Sequence, residues 1–340
     1  MRFGAGPRAA GVALLLALCL LVGLEPPPLG ALRDGVFDTY QRLMPRSRAS
    51  APAIIVAIDE RALDARGQWP WPRTVMAELL RAIVAAGPAA VGVDLFFAEP
   101  DRASPAGDAA LAEAIEGEKV VLGIAGLEYR DRRFPFPPSA APVRIAAKRE
   151  LALRRYDGQL QSRPEISRAA AGRGLLSSEA KGVVRRVPLI ARIGQVLVPS
   201  LSVEMIRVAS DTPLLRLTDR GGEYLELGIG KSSVPLQSDG SMYIYFGHED
   251  AAQRSVSAEE VLSGTAPAQL LRDKLVLVGI TGLGLLDYQV TPLGERIPGV
   301  EVHAQLIEQM YDGNYLRRPS GATWLAAALL LVTGALLVLW

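Results

Sequence analysis

Four acidic side chains stand where the chain leaves two short apolar runs, and they are the residues best suited to chemistry. Asp59 and Asp94 each end a run rich in Val, Ile and Ala, and Glu99 and Asp101 follow the second run. We expect the two runs to be neighbouring strands, so that these carboxylates meet at the carboxyl edge of a sheet, where α/β proteins bind ligands. There they could bind a divalent cation, hold a basic ligand or act as an acid/base pair. We favour the alternative in which they cap helices and turns or pair with Arg73.

Two tryptophans lie in a segment that alternates with prolines. Trp69 and Trp71 precede Pro72 and Arg73, so the segment is extended and stiff and Pro72 is well placed to open a helix. Two aromatic rings at the mouth of a pocket could clamp a ligand. A structural role is the interpretation that we favour, in which the rings pack over the sheet and fix the start of the helix.

Soft metal ligands are scarce in the sequence. The chain has one cysteine, Cys19, and two histidines, His248 and His303, which excludes an internal disulfide framework and argues against a zinc site. His303 could act as a pH sensor, although a structural histidine with its hydrogen bonds satisfied is the interpretation that we favour. No cofactor, no metal and no catalytic residue is predicted.

Charge is nearly balanced over the chain. Lys and Arg number 37 and Asp and Glu number 36, which gives a net charge of +1, so nucleic acid is not an expected partner. Two basic runs, 130–133 and 148–155, could attract anionic lipid or cell-wall polymer. Solvated faces are the interpretation that we favour for both.

The elements that would position these residues follow from apolar periodicity. Apolar residues from 76 to 84 recur at helical spacing between strands predicted at 54–58 and 90–93, and a strand–helix–strand unit of this kind implies parallel strands. Further helices are predicted at 32–44, 108–116, 200–209, 257–262 and 300–311, with a short one near 146–155, and further strands at 119–124, 187–193, 195–198, 224–229, 233–236, 242–246 and 274–278.

Both ends of the chain are strongly apolar. We expect residues 1–8 to be a cytoplasmic N-terminus and residues 9–24 a transmembrane signal-anchor, with a cleaved signal peptide as the alternative. Residues 321–340 are predicted as a second transmembrane helix, in which the chain is truncated. The expected fold is therefore α/β, with a mostly parallel sheet, flanking helices and an antiparallel extension, held between an N-terminal and a C-terminal transmembrane helix.

Motifs in both halves of the predicted domain resemble a known family. The first half carries Asp59, Trp69-Pro70-Trp71-Pro72-Arg73, Ala86-Gly87-Pro88, Asp94 and Glu99-Pro100-Asp101. The second half carries Gly182-Val183-Val184-Arg185-Arg186-Val187-Pro188, Pro199-Ser200-Leu201, Lys274-Leu275-Val276-Leu277-Val278-Gly279, Asp287, Thr291-Pro292-Leu293 and Pro298-Gly299-Val300-Glu301-x-His303. Over residues 32–313 this order resembles the CHASE type 2 domain, an extracellular sensory domain of bacterial receptors. The sequence departs from the family at Glu179-Ala180-Lys181, where the family often carries acidic residues.

The resemblance implies an extracytoplasmic input module of a receptor in the bacterial inner membrane, with its bulk in the periplasm. A nucleotide cyclase or a histidine or Ser/Thr kinase would follow inside the cell, and the expected partners are an unknown small molecule or environmental signal, the lipid bilayer and a second copy in a homodimer. Asp287, Thr291 and His303 join the candidate ligand-binding residues through the family motifs. Two alternatives stay open: a membrane-tethered metal-assisted hydrolase built on Asp59, Asp94 and Asp101, and an envelope scaffold that recognises another protein.

Overall fold

The structure is a computed structural model that describes residues 5–24, 26–131, 142–176, 182–221, 224–248, 251–282, 288–317 and 321–339. The helices are α1 (Ala5–Leu24), α2 (Pro27–Leu43), α3 (Glu60–Arg66), α4 (Arg73–Ala85), α5 (Gly107–Ile115), α6 (Pro164–Ala169), α7 (Leu201–Ala209), α8 (Ala251–Arg254), α9 (Ala258–Leu262), α10 (Gly299–Asp312) and α11 (Ala322–Leu339). The strands are β1 (Ala53–Ile58), β2 (Ala90–Val93), β3 (Val120–Leu127), β4 (Val143–Ala146), β5 (Arg155–Tyr156), β6 (Gly158–Leu160), β7 (Gly172–Leu175), β8 (Arg186–Pro188), β9 (Ile190–Ile193), β10 (Val196–Pro199), β11 (Leu215–Asp219), β12 (Tyr224–Ile229), β13 (Ser232–Gln237), β14 (Ser241–Tyr243), β15 (Ser255–Ser257), β16 (Leu275–Ile280), β17 (Tyr288–Val290) and β18 (Arg296–Pro298).

The chain divides into two compact units. The first consists of Met1–Met44 and Arg317–Trp340, and the second of Pro45–Leu316. In the first unit α1 and α11 pack together, and a side chain at Gly334 would overlap Leu15. Among the described residues no single helix meets the length and hydropathy expected of a membrane span, whereas residues 9–24 and 28–43 meet it jointly across a bend of 69°.

The second unit is built on a mixed sheet that is mostly parallel, in the order β15-β1-β16-β2-β3-β6, with β7 also paired to β3. Strand β6 runs antiparallel to β3, and the other pairs of this sheet are parallel. The predicted α/β class with a mostly parallel sheet is confirmed. The expectation that β1 and β2 are neighbours is wrong, because β16 lies between them and pairs with both.

Helices cover both faces of this sheet. In β1 every residue is buried, and alternate side chains enter two different hydrophobic clusters, one on each face. Helices α4 and α5 contribute their apolar residues to one cluster, and α7 and α10 contribute theirs to the other. A side chain at Gly92 would collide with the side chain of Met205 of α7, so glycine at this position leaves room for the Met205 side chain against the strand.

The antiparallel extension is a separate sheet in the order β13-β12-β11-β4. Strands β12 and β13 are antiparallel, as expected, and the strand expected at 242–246 is β14, which pairs antiparallel with β8 in a separate sheet. Strand β11, which the sequence did not predict, is antiparallel to β12, and β4 joins β11 in parallel. The short helix expected near 146–155 is wrong, because residues 143–146 form β4 and the residues that follow carry no helix. Serine caps at Ser200 and Ser257 open α7 and α9 as predicted, the second with Glu260 in a capping box.

Candidate ligand site at the carboxyl edge of the sheet

Asp59 lies between β1 and α3 and is held by protein donors. Its Oδ1 accepts hydrogen bonds from the backbone N of Ala62 at 3.0 Å and from the Oγ of Ser257 at 2.7 Å. The first bond caps α3, and the second ties β1 to the start of α9. This carboxylate therefore joins two elements of the fold.

Arg73 occupies the first turn of α4 and is 9 % exposed. Its backbone N donates to Asp101 Oδ2 at 3.2 Å, its Nη2 donates to the Glu99 carbonyl at 3.2 Å, and its guanidinium lies 4.6 Å above the ring of Phe97. Burial lowers the pKa of Arg73, and the carboxylates of Asp108 and Asp101 oppose that shift. Glu99 and Asp101 thus belong to a cluster that fixes the segment after β2 against the start of α4.

The two tryptophans that were candidates for ligand contact differ in exposure. Trp71 is 1 % exposed and donates from Nε1 to the carbonyl of Gly67 at 2.8 Å. Trp69 is half-buried, and the two ring centroids lie 6.1 Å apart. Trp71 is therefore part of the core, and Trp69 is the ring with surface left for other contacts.

Asp94 and His303 line one small cavity of about 30 Å³, together with Leu176, Gln289 and Val302. A cavity of this size holds about one water molecule. His303 is fully buried, its Nδ1 lies 2.9 Å from the Oγ of Ser202, and burial lowers its pKa to about 4.

Thr291 is 2 % exposed, and its Oγ1 has no hydrogen-bond partner among the described residues. Asp287 lies outside the described residues. The contacts therefore divide the described candidates into separate groups: Asp59 with α3 and α9, the two tryptophans with each other, Arg73 with Glu99 and Asp101, and Asp94 with His303. Of the described residues, no three His, Cys, Asp or Glu side chains are grouped closely enough to hold a metal ion.

A buried ionic network on α10 contains residues that the sequence reading missed. Glu308 is wholly buried and pairs with Arg46 at 2.9 Å, Arg48 at 2.7 Å and Arg254 at 3.1 Å. Glu301 also pairs with Arg254. Burial works against the charge of Arg254, but the two carboxylates outweigh it and raise the pKa of Arg254.

Asp312 and two amides extend this network along the same helix. Asp312 pairs with Arg46 at 3.3 Å, and Gln305 Oε1 accepts from the N of Gly247 at 2.9 Å. Gln309 Oε1 accepts from the N of Tyr245 at 2.9 Å. We call Arg46, Arg48, Arg254, Glu301, Glu308 and Asp312 the α10 ion network. Its sequence signal was the polar spacing 301, 305, 308 and 312, which places these side chains on one helical face.

A comparison with protein families finds one matching family model, described as CHASE2 domain, which covers residues 12–340. No curated protein and no solved structure matches the chain. The family match spans the motifs at both ends of the second unit as well as the network on α10.

Proposed function

We propose, from the premise that the chain belongs to the CHASE2 domain family, that residues 45–316 sense a signal outside the cell and pass it to an intracellular effector. CHASE2 is an extracellular sensory domain of membrane receptors and is not a catalytic domain. The finer parts of the proposal are a periplasmic position, membrane helices on both sides, and a nucleotide cyclase or protein kinase as the effector.

The observation that carries the proposal is the α10 ion network. Arg46 is the second residue of the second unit, and its partners Glu308 and Asp312 are in the last turns of α10, near the other end of that unit. Arg46 also donates from its backbone N to the carbonyl of Phe246 at 2.9 Å and from Nε to that of Tyr245 at 3.0 Å. The chain therefore enters and leaves the unit through segments that are tied to each other by buried charges.

Such an ionic link is suited to transmitting movement between segments, because buried charges have few favourable arrangements. Breaking one partner of a buried pair costs about 3–5 kcal/mol, so a displacement of α10 is transmitted to the segment at Arg46 rather than absorbed by it. By linkage, a signal shifts the receptor only if it binds one of two states more tightly than the other. We propose that these two states differ in the placement of α10.

Residues 9–24 and 321–340 supply the membrane part of the proposal. We propose that both cross the bilayer, and that two copies of the chain form a homodimer in which movement of these segments reaches the effector. The apolar composition of both segments supports the first statement. In α1 the residues Ala9, Ala13 and Ala17 form a small-residue row that favours helix pairing.

A chimera tests the sensory role. The chain is fused after Trp340 to the catalytic domain of a bacterial adenylate cyclase and expressed in a cyclase-deficient strain, and cyclic AMP is measured across changes in pH, osmolarity and growth medium. We expect at least one condition to change the output, and Glu308→Gln to abolish that change while the chimera is still produced. Identical output in all conditions for a folded, membrane-bound chimera would contradict the proposal.

The matched control is Glu150→Gln. Glu150 is exposed and pairs with the exposed Arg155 at 2.8 Å, so its loss removes one carboxylate without touching a buried charge. We expect its response to equal that of the unmodified chimera. An equal loss of response in both variants would show that the network has no special part in the relay.

A further inference from the structure

A groove of about 810 Å³ lies between the β12–β13 hairpin, the strands β4 and β11, and the carboxyl-terminal ends of α7 and α10. Ile206 and Met310 line its apolar part, and the ring of Tyr311, which is 54 % exposed, lies at its rim. Burial raises the pKa of the Tyr311 hydroxyl. The volume falls in the range of about 300–1,000 Å³ that is typical of small-molecule sites.

Three cationic side chains line the same groove: Arg144, Arg216 and Lys231. Within the part of the chain that the structure describes, none of the three forms a salt bridge with a carboxylate. Asp211 also lines the groove, but its carboxylate pairs with Lys119 at 2.8 Å. The groove therefore combines apolar contact surface with uncompensated positive charge.

Arg144 and Arg216 are direct neighbours across two parallel strands. The register of β4 and β11 places them opposite each other, so both side chains leave the sheet on the same face, the one opposite the buried Leu215 and Leu217, and both line the groove. On its other side Arg216 faces Gly228, which offers no side chain. Like charges directly opposite each other destabilise a sheet, and an anion bound between the two guanidinium groups would remove that cost.

The tip of the β12–β13 hairpin carries the third cation. Gly230 has φ +59, and a Cβ there would lie 2.8 Å from Thr212 Oγ1, so the tip packs closely against the residues after α7. Arg216 Nη2 donates to the carbonyl of Gly230 at 3.4 Å. Lys231 follows directly and also lines the groove.

We propose that this groove binds a small amphiphilic anion, with a carboxylate or phosphate head between Arg144, Arg216 and Lys231 and an apolar body against Ile206, Met310 and Tyr311. The inference deepens the proposed sensory function and rests on it in one respect, that the bound anion is a signal. Arginine pairs are suited to such a head because each guanidinium can donate two parallel hydrogen bonds to it. The ligand would touch α10 at Met310 and Tyr311, within one turn of Glu308 and Asp312 of the α10 ion network.

Binding is measured with the full chain in nanodiscs of neutral lipid, by equilibrium dialysis with octanoate and with octyl phosphate. Octanamide, which has the same apolar body and no charge, is the matched ligand control. We expect both anions to bind and octanamide to bind at least about tenfold more weakly, because the uncharged amide cannot accept charge-assisted hydrogen bonds from the guanidinium groups. Equal retention of octanamide and octanoate would show partition into lipid and overturn the proposal.

Single and double variants locate the site. Arg216→Gln is expected to weaken octanoate binding by about tenfold or more, and Arg144→Gln with Arg216→Gln to abolish it. Arg272→Gln removes an exposed arginine outside the groove and is expected to leave binding unchanged. Octanoate binding that is equal in all four proteins would overturn the proposal. The proposal would also be overturned if the chain retained neither octanoate nor octyl phosphate and bound only the headgroups of anionic lipid.

This assay is independent of signalling. If octanoate binds and the cyclase chimera responds to no condition, the site stands and the sensory function fails. If the chimera responds to some condition while neither anion binds, the sensory function stands and the groove proposal fails.

Discussion

Two parts of the surface of α10 differ in whether the charges beside them are paired. At Glu301, Glu308 and Asp312 the helix meets three arginines, so that three anions and three cations balance in a buried network. At Met310 and Tyr311 the same helix borders a groove with three cations that lack a carboxylate partner in the described part of the chain. Paired buried charges fix a structure, whereas unpaired charges beside apolar surface are available to a ligand.

The largest expected effect follows from a substitution that disrupts the α10 ion network. Glu308→Ala removes the carboxylate shared by Arg46, Arg48 and Arg254 and leaves buried cations without it. The free energy of unfolding should fall by about 3–5 kcal/mol. Urea unfolding of the full chain in neutral detergent, followed by tryptophan fluorescence, measures the change.

Glu150→Ala is the matched control for this prediction. It breaks an exposed pair with Arg155, for which a change of less than about 1 kcal/mol is expected. A loss for Glu308→Ala no larger than that of the control would contradict the structural role of the α10 ion network.

The second effect concerns His303, a buried group on α10 whose Nδ1 lies 2.9 Å from the Oγ of Ser202 and which shares a small cavity with Asp94. Because its pKa in the folded state is about 4 and its ordinary value is 6.5, the unfolded chain binds the proton first. Stability is therefore unaffected by His303 above pH 6.5 and falls as the pH drops from 6.5 towards 4, by roughly 3 kcal/mol in all.

The comparison of unmodified protein with His303→Asn isolates this contribution from that of other groups. The variant should lose less stability than the unmodified chain between pH 6.5 and 4 in the same urea experiment. Parallel stability curves for the two proteins would mean that the folded state binds the His303 proton as readily as the unfolded state, and that burial does not lower the pKa of His303.

The smallest expected effect on stability is that of a substitution in the groove. Arg216→Gln removes one of two like charges that stand opposite each other in β4 and β11. Stability should stay constant or rise by up to about 0.5 kcal/mol, with the gain larger at low salt than at high salt. A loss above about 1 kcal/mol would show that the charge of Arg216 stabilises the fold as a paired charge does, and the contrast between the two parts of α10 would fail.

Features that depend on local sequence were predictable. Runs of Val, Ile and Leu marked β1, β2 and β16, and Ser200 and Ser257 marked the starts of two helices. Each of these signals lies within a few residues of the element that it defines. The order of the strands was not predictable in this way, because β16 comes from far along the chain and separates β1 from β2.

The partners of charged residues were the other feature that the local sequence could not predict. A solvated face was the favoured interpretation of the basic run 148–155, and the sequence did not indicate that Arg149, Arg154 and Arg155 pair with Asp219, Glu128 and Glu150. Arg46 and Glu308 are 262 residues apart, and neither belongs to a sequence motif that indicates an ion pair. Whether a charge is paired depends on long-range contacts, so the sequence could name charged residues without separating structural ones from those open to a ligand.

Hydrogen exchange of the full chain in neutral nanodiscs, with and without octanoate, tests most directly whether the two parts of α10 act together. We predict slower amide exchange in the segments 206–216 and 229–234, at the groove, and a change at residues 45–50, which hold Arg46 and Arg48. Protection confined to the groove would contradict the relay through the α10 ion network. An exchange map unchanged by octanoate would contradict both the groove and the relay.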